Sequence, residues 1–238
     1  MTGNRMLLRV ASSALALVAL ASSAHAQGTV QERVAALKTK LAENAAAQRA
    51  YTWIETTQVE LNDEVKSTSA ASCKYAAGSA KPVCTPVGAP PAPPKVRGPL
   101  RKAIAKGKIE DLKAYMDSVK TLIAQYVPPQ QELIQKAQGR GDVAVAPNPS
   151  NGTVKVTVSN YLQRGDAVAV VMRQTNNNLA KIDVTTWLND PSAAVSLTVD
   201  MVTLPNGVTF PEKKVLRADA KGIVVIITSS NFAQAVEQ

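Results

Sequence analysis

The sequence predicts an α+β fold: a large, curved antiparallel β-sheet, an incomplete β-barrel, with an N-terminal helix and a helical insert packing on its concave face. Three observations predict this fold class. Apolar residues recur at helical spacing near the start of the chain and again in residues 109–127. Most other segments alternate with period two between turn residues, which is typical of strands joined as antiparallel neighbours. An apolar helix face must bury itself, so we expect the helices to cover the sheet.

The composition is that of a globular chain. Of the 238 residues, 45% are hydrophobic and 19% are charged, which is too apolar for a disordered protein and long enough to bury a core. The 27 Lys and Arg residues outnumber the 18 Asp and Glu residues, giving a formal net charge of +9. Such a balance favours contact with anionic partners.

Residues 1–26 have the pattern of a cleavable signal peptide. Arg5 and Arg9 precede an apolar run, 10–21, that is too short to span a bilayer, and Ala24-His25-Ala26 supplies the small residues of a cleavage site. No cysteine follows the run, so we expect no lipid anchor. We therefore predict export to the periplasm or the cell exterior, with residues 27–238 forming one domain.

Catalysis by the common nucleophilic machinery is excluded if this segment is removed. His25 is the single histidine of the chain, and a Ser-His-Asp or Cys-His site needs a histidine. Histidine is also the commonest zinc ligand, and the sequence has no phosphate-binding, dinucleotide-binding or zinc-protease motif. We therefore predict no enzymatic activity, no cofactor and no metal.

The first helix is predicted over residues 29–50. Thr29 and Glu32 form a capping box, and apolar residues then recur at helical spacing up to Leu41. The helix is amphipathic, so its apolar face must pack against another apolar surface.

A hairpin region with two cysteines follows this helix. We predict strands over 51–59, 65–75 and 81–87, because β-branched residues alternate with others from Tyr51 onward. Cys73 and Cys84 lie on either side of the second turn. In an exported protein this placement predicts a structural disulfide. A redox-active pair is the alternative, but the chain lacks a Cys-x-x-Cys motif at a helix start.

Residues 88–108 form a proline-rich and then basic insert. Its first part, 88–99, predicts an extended connector. A basic patch overlaps and follows this connector and is uninterrupted by acids: Lys95, Arg97, Arg101, Lys102, Lys106 and Lys108. This pattern is typical of a solvated helix start or of a surface that meets anionic lipid head groups. Nucleic-acid binding is not expected, since no aromatic residue lies among the bases.

The remainder of the chain predicts two helices and then strands. An apolar stripe predicts a helix over 109–127, which Pro128 and Pro129 end, and a short helix is predicted over 130–138. Strands are predicted from Val143 onward and then over 153–161, 167–174, 179–187, 195–203, 210–218 and 222–230.

A curled sheet under covering helices leaves an apolar cavity, a usual place for a hydrophobic ligand. The sequence offers large apolar side chains near the expected mouth of this cavity. The predicted lining residues are Trp53, Ile54, Tyr115, Met116 and Trp187.

Several of these segments resemble the LolA/LolB-like superfamily of periplasmic lipoprotein carriers. The resemblance rests on the helix 29–50, the strand YTWIETTQVEL with its partner EVKSTSAASCKY, and the late hairpin LTVDMVTLPNGVTFPEKKVL. The stretches YTWIETTQVEL, CKYA and TTWLNDPSAAVSL are also similar to a group of exported bacterial proteins without an assigned activity. The resemblance implies an open barrel plugged by helices that carries an acyl chain, a lipid or a lipidated protein.

We therefore predict a monomeric periplasmic binding protein or carrier of an apolar ligand. Two alternatives remain open. One is a structural protein of the cell envelope that docks through its basic, proline-rich loop onto a partner or an anionic membrane. The other is a hydrolase whose two carboxylates converge from different strands.

Overall fold

The computed structural model describes residues 38–76, 78–79, 81–88 and 99–235, together with 32 and 35, and it gives only the backbone of 99–105. The predicted signal peptide and nearly all of the predicted proline-rich connector lie outside the described residues. Among those residues, no helix has the length and apolar character that crossing a membrane requires.

The described residues form three α-helices and one short 3₁₀ helix, Asp219–Lys221. Helix α1 runs through residues 38–48, α2 is Pro99–Ile123 and α3 is Gln131–Gly139. The sequence placed the start of α2 at Ile109, which is wrong: the helix begins at Pro99. A proline suits the first turn of a helix, and the Lys, Arg and Ala residues that follow it are strong helix formers. The part of the basic patch after Pro99 is therefore helical.

Ten strands form a single antiparallel sheet that is not closed. In space their order is β3-β2-β1-β10-β9-β8-β7-β6-β5-β4. The strands from β4 to β10 follow one another along the chain as neighbours, and β1 pairs with β10, so the first and the last strand are adjacent. The predicted fold class is confirmed. The strands are β1 Tyr51–Leu61, β2 Glu64–Tyr75, β3 Pro82–Val87, β4 Val143–Asn148, β5 Thr153–Ser159, β6 Ala167–Arg173, β7 Leu179–Trp187, β8 Ala194–Thr203, β9 Thr209–Ala218 and β10 Ile223–Gln234.

The β1–β2 turn is packed against the β9–β10 turn. Asn62 and Asp63 both have positive φ, 51° and 64°, as a tight hairpin requires. The backbone N–H of Asn62 donates to the carbonyl of Gly222 at 2.8 Å. Gly222 has a positive φ of 57°, which favours glycine, and a Cβ there would lie 2.2 Å from Asn62 Oδ1, so a side chain would displace the Asn62 amide.

A β-bulge shapes the end of the β1–β10 pair. Thr52 is opposite Ala233 and Ile54 is opposite Ser230, so Trp53 faces two residues instead of one. One of these, Asn231, has a positive φ of 55°. The other, Phe232, packs on Phe210 with ring centroids 4.6 Å apart. The bulge thus adds an aromatic ring to the face of the sheet that Trp53 occupies.

The core lies between the concave face of the sheet and the helices. Its largest cluster joins β5–β8 to α3 and to the segment after α2, through Tyr126, Ile134, Val156 and Ile182. Two smaller clusters lie elsewhere on the sheet, one around Trp53 and Phe210 and one around Val119 on α2.

The predicted disulfide is confirmed. Cys73 on β2 and Cys84 on β3 are directly opposite residues, with Cα atoms 4.0 Å apart. Cys73 is fully buried beside Trp53, so the bond attaches the edge strand β3 to the aromatic cluster. The pairing leaves no free cysteine among the described residues.

We predict that reducing this disulfide lowers the free energy of unfolding by about 3 kcal/mol, because the unfolded chain gains the entropy of an open loop. The measurement is urea unfolding with and without dithiothreitol. A double variant, Cys73→Ala with Cys84→Ala, should have the unfolding midpoint of the reduced protein, and dithiothreitol should not change that midpoint. An unchanged midpoint in protein whose thiols are free by mass spectrometry would contradict the prediction.

Candidate ligand cavity beneath the helices

A cavity of about 780 Å³ lies between the concave face of the sheet and the helices. Its roof comes from α1 and from the end of α2 with the residues that follow it. Its floor comes mainly from inward-facing residues of β1 and β7–β10. The roof residues are Leu41, Ala42, Asn44, Ala45, Gln48, Lys120, Ile123, Ala124, Val127, Pro128 and Pro129. The floor and side residues are Trp53, Glu55, Tyr75, Pro82, Leu179, Ile182, Leu197, Val199, Met201, Phe210, Pro211, Lys214, Leu216 and Ser229.

The wall is mostly apolar. Among the described lining residues, charged groups are limited to Glu55, Lys120 and Lys214. Lys120 lies at the solvent-exposed rim, where its ammonium pairs with Asp117 at 3.3 Å. The volume is within the range of about 300–1,000 Å³ that is usual for small-molecule sites. The cavity can therefore hold a largely apolar molecule.

An aromatic cluster forms one end of the cavity. The Trp53 ring is 5.7 Å from the centroids of both Tyr75 and Phe210, and Phe210 also meets Tyr51 at 5.4 Å. Burial raises the pKa of Tyr75, and the charge of Glu55 adds to the rise, whereas Arg49 opposes it. Tyr75 therefore stays a neutral hydroxyl beside the cavity at physiological pH.

An ion pair lies on the otherwise apolar floor. Lys214 Nζ is 2.9 Å from Glu55 Oε1, and the two side chains are 28% and 20% exposed. Trp53 Nε1 donates to the same carboxylate oxygen at 3.3 Å. The indole thus helps to hold Glu55 towards Lys214. Partial burial makes this pair less screened by water and salt than a surface pair.

Helix α1 is held over the cavity mainly by polar contacts, most of them with Thr209. The Asn44 side chain forms two hydrogen bonds with the backbone of Thr209 at the start of β9, one to its N–H and one to its carbonyl, each 2.6 Å long. Gln48 Nε2 donates to the same carbonyl at 2.6 Å. The Tyr75 hydroxyl also donates to Gln48 Oε1 at 3.3 Å, and Lys38 Nζ donates to Gln131 Oε1 on α3 at 3.1 Å. Leu41 adds an apolar contact with the core. Most other described α1 side chains are exposed.

The segment after α2, by contrast, is firmly anchored. Tyr126 is fully buried and its hydroxyl donates to Asp166 Oδ2 at 2.6 Å. The Thr186 hydroxyl lies 2.7 Å from the same phenol oxygen and receives a hydrogen bond from Gln163 Nε2. Since the phenol proton goes to Asp166, Thr186 donates to Tyr126. The backbone N–H groups of residues 161–163 also donate hydrogen bonds to the buried Asp166 carboxylate.

This network keeps Tyr126 protonated. Burial and the hydrogen bond to Asp166 raise the pKa of Tyr126 far above its ordinary value. Burial also raises the pKa of Tyr161, whose hydroxyl accepts a hydrogen bond from the backbone N–H of Gln130 at 2.6 Å. Tyr126 and Tyr161 therefore join the end of α2 and the start of α3 to the sheet.

The structure brings one of the five predicted lining residues to the cavity. Trp53 is 5% exposed and belongs to the wall. Ile54 is the next residue of the same strand and therefore faces the opposite side of the sheet. Tyr115 and Met116 pack with Val119 in a separate apolar cluster, outside the wall. Trp187 lies over Gly165, where an added Cβ would be 3.4 Å from the indole ring.

Sequence reasoning missed Tyr75, Phe210, Glu55 and Lys214 as wall residues. The strand period contained part of the signal, because Glu55 shares the phase of Trp53 along β1. On β9 a register shift between Pro211 and Lys213 separates Phe210 from Lys214, so alternation did not relate these two residues. The second neighbour of β1 could not be predicted, because β10, and β9 beyond it, are far from β1 along the chain. The contact of Trp53 with Phe210 follows from that arrangement.

The other predicted sites are placed as follows. Lys106 and Lys108 of the basic patch are exposed, and Lys106 lies 3.9 Å from Glu110. Lys95 and Arg97 lie outside the described residues, so docking through this patch stays a prediction.

Glu55, Cys73 and Cys84 place ligand-type atoms within 4.8 Å of one another. Both sulfurs belong to the disulfide and are not thiolates, so this cluster does not suit a metal.

Comparisons with known proteins show low similarity. No protein-family model matches the chain, and no curated protein matches its sequence. A DUF1329 family protein from Desulfovibrio piger is similar in structure, with 9% identity, a TM-score of 0.43, and coverage of 86% of this chain and 93% of that one. A LolA superfamily protein from Nitrosomonas europaea is also similar, with 10% identity, a TM-score of 0.37, and coverage of 85% and 94%.

We predict that Tyr126→Phe lowers the free energy of unfolding by about 1–3 kcal/mol, because it deprives the buried Asp166 of a donor and Thr186 of an acceptor. Tyr115→Phe is the matched control. Among the described residues, the buried Tyr115 hydroxyl has no hydrogen-bond partner, so its removal should be neutral or stabilising. Urea unfolding measures both variants, and equal losses would contradict the assignment of a structural network to Tyr126.

Proposed function

We propose that the protein is a carrier or binding protein for an amphiphile with an acyl chain, which it holds in the cavity beneath α1 and α2. The observation that carries this proposal is the cavity of about 780 Å³ whose wall is mostly apolar. Apolar surface left unfilled inside a fold forfeits contacts that a ligand would restore. An acyl chain is the natural occupant, since each buried methylene contributes about 0.8 kcal/mol.

The two sides of the roof have different roles in this function. The Tyr126 network and the core contacts of Val119 and Ile123 fix the end of α2. Among the described contacts, helix α1 depends on Leu41, on the bonds of Asn44 and Gln48 to Thr209, and on two longer side-chain bonds that join it to Tyr75 and Gln131. Breaking a few hydrogen bonds costs much less than opening a packed core. Helix α1 is therefore the lid through which the chain enters.

The disulfide supports a location outside the cytosol, which this function needs. Structural disulfides persist in oxidising compartments such as the bacterial periplasm and are rare in the cytosol. Cys73 and Cys84 are paired in the structure. We therefore place the carrier outside the cytosol, where an acyl chain crossing an aqueous space needs a shield.

The test uses the two tryptophans, of which Trp53 is in the wall and Trp187 is outside it. Bromine quenches tryptophan fluorescence at contact distance. A dibrominated stearoyl chain, supplied as the free acid or as its glycerol monoester, should therefore quench the Trp187→Phe variant, which retains Trp53. The quenching should be saturable at one chain per protein.

The matched control is Trp53→Phe, which retains Trp187. The same lipids should leave its fluorescence nearly unchanged, since Trp187 does not line the cavity. Unbrominated stearoyl lipids correct for any change of environment. Absence of saturable quenching at Trp53 with both lipids, or equal quenching at Trp187, would overturn the proposed function.

A second prediction concerns the lid. Asn44→Ala removes both hydrogen bonds to Thr209 and should speed release of the brominated chain by about tenfold, with less effect on stability than Tyr126→Phe. Stopped-flow recovery of Trp53 fluorescence, in the Trp187→Phe background with excess cyclodextrin as acceptor, measures the release rate. The control is Glu43→Ala on the same helix, whose carboxylate pairs with exposed Lys40. Identical release rates in the two variants would exclude α1 as the lid.

A further inference from the structure

The Glu55–Lys214 pair is a polar feature on a floor that otherwise suits an acyl chain. The two residues come from β1 and β9, which are separated by β10 in the sheet. Ser229 on β10 is directly opposite Glu55 in the strand register and is 4% exposed, and it lies two residues along β10 from Ile227, the residue opposite Lys214. Glu55, Lys214 and Ser229 all line the cavity. The sheet therefore places a carboxylate, an ammonium and a hydroxyl together at one part of the floor.

These groups retain unused hydrogen-bonding capacity. Among the described residues, both donors to Glu55, Lys214 Nζ and Trp53 Nε1, bond to Oε1. The second carboxylate oxygen remains an acceptor, and the ammonium of Lys214 has two further N–H groups. Both side chains are partly exposed at the cavity wall, 20% for Glu55 and 28% for Lys214. A ligand that brings both a donor and an acceptor can therefore replace water at these groups.

The charge of the pair determines which head group fits. Glu55 and Lys214 neutralise each other at 2.9 Å, so this part of the wall has no net charge. An anionic head would compete with Glu55 for Lys214 and leave two carboxylates close together. A cationic head would compete with Lys214 in the same way. Like charges in a partly buried site repel strongly, so both are disfavoured.

We infer that the Glu55–Lys214 pair, with Ser229, selects an amphiphile whose head group is uncharged and has both a hydroxyl or amide donor and a carbonyl acceptor, as in a monoacylglycerol. The head hydroxyl donates to the free oxygen of Glu55, and the carbonyl accepts from Lys214. This inference rests on the proposed function, because it assigns the head group of the chain that the cavity holds.

The experiment compares two probes with the same chain. Dibrominated stearic acid and its glycerol monoester differ in head group alone, and quenching of Trp53 in the Trp187→Phe background gives both dissociation constants. Measurements at pH 8 and below the micellar concentration keep the acid ionised and monomeric. The Trp187→Phe protein, which is the parent of the variants below, should bind the monoester about tenfold more tightly than the acid, a ratio equivalent to about 1.4 kcal/mol.

Three variants then change the charge of the site. Glu55→Gln leaves Lys214 without its counter-charge and should shift the preference towards the acid by about tenfold or more. Lys214→Met leaves Glu55 alone and should shift it towards the monoester. The double variant restores a neutral site without the pair and should bind the monoester less tightly than the parent. Lys213→Met is the matched control, since Lys213 is the exposed neighbour on the other face of β9 and should change nothing.

The outcomes separate this inference from the proposed function. If both probes bind but the preference is the same in the parent, Glu55→Gln and Lys214→Met, the pair does not recognise the head group, although the carrier function stands. If Lys213→Met shifts the preference as much as Lys214→Met does, net protein charge is responsible and the inference fails. If neither probe quenches Trp53 in the folded parent, the proposed function itself fails. Thermal unfolding of each variant confirms that it is folded.

Discussion

The geometry of an antiparallel sheet controls everything else in this molecule. Side chains alternate between the two faces of every strand, so a run of apolar residues with period two produces one continuous apolar surface. Here that surface extends across most of a ten-stranded sheet. The described helices cover it unevenly: α3 and the segment after α2 pack closely on β5–β8. Helix α2 packs through Val119 on Ala218 of β9 and Ile223 of β10. Around Trp53 and Phe210 the helices leave a space over the sheet, which is the cavity.

The way in which the helices are attached divides the roof into a fixed part and a movable part. The fixed part uses buried groups that satisfy one another, with Asp166 at the centre and Tyr126 as the link to α2. A buried network of this kind is costly to break, because every separated partner loses its hydrogen bond without access to water. The α1 side chains, mostly exposed, lose little when their bonds to Thr209 are exchanged for bonds to water. The same sheet therefore supports a firmly anchored wall and, in the proposed function, a removable cover.

The cavity combines two kinds of surface. Aromatic rings around Trp53 and Phe210 form an apolar end, and the disulfide of Cys73 holds the edge strands against that end. A few ångströms along β1 lies the Glu55–Lys214 ion pair, whose two opposite charges cancel. Burying such a pair has a desolvation cost that a purely apolar substitution would avoid. Its position beside the Trp53 indole is consistent with a role in recognition rather than in stability.

The amino-acid sequence by itself determined the type and approximate limits of most elements, because turn residues and period-two alternation act locally. The strand Leu179–Trp187 was predicted with both its ends, and the disulfide followed from two cysteines flanking one turn. The start of α2 was misplaced, since the strong helix formers after Pro99 outweigh the lack of an apolar stripe there.

Tertiary structure alone decided which residues meet. Trp53 and Ile54 are equally apolar neighbours, and strand alternation allows one of them to face the cavity without saying which. The pairing of β1 with β10 makes that choice and brings Lys214 to Glu55 across 159 positions of sequence. The physical reason is that the alternation of side chains can be read from a single strand. The neighbour of a strand, by contrast, depends on how the whole chain folds to bury the apolar face of the sheet.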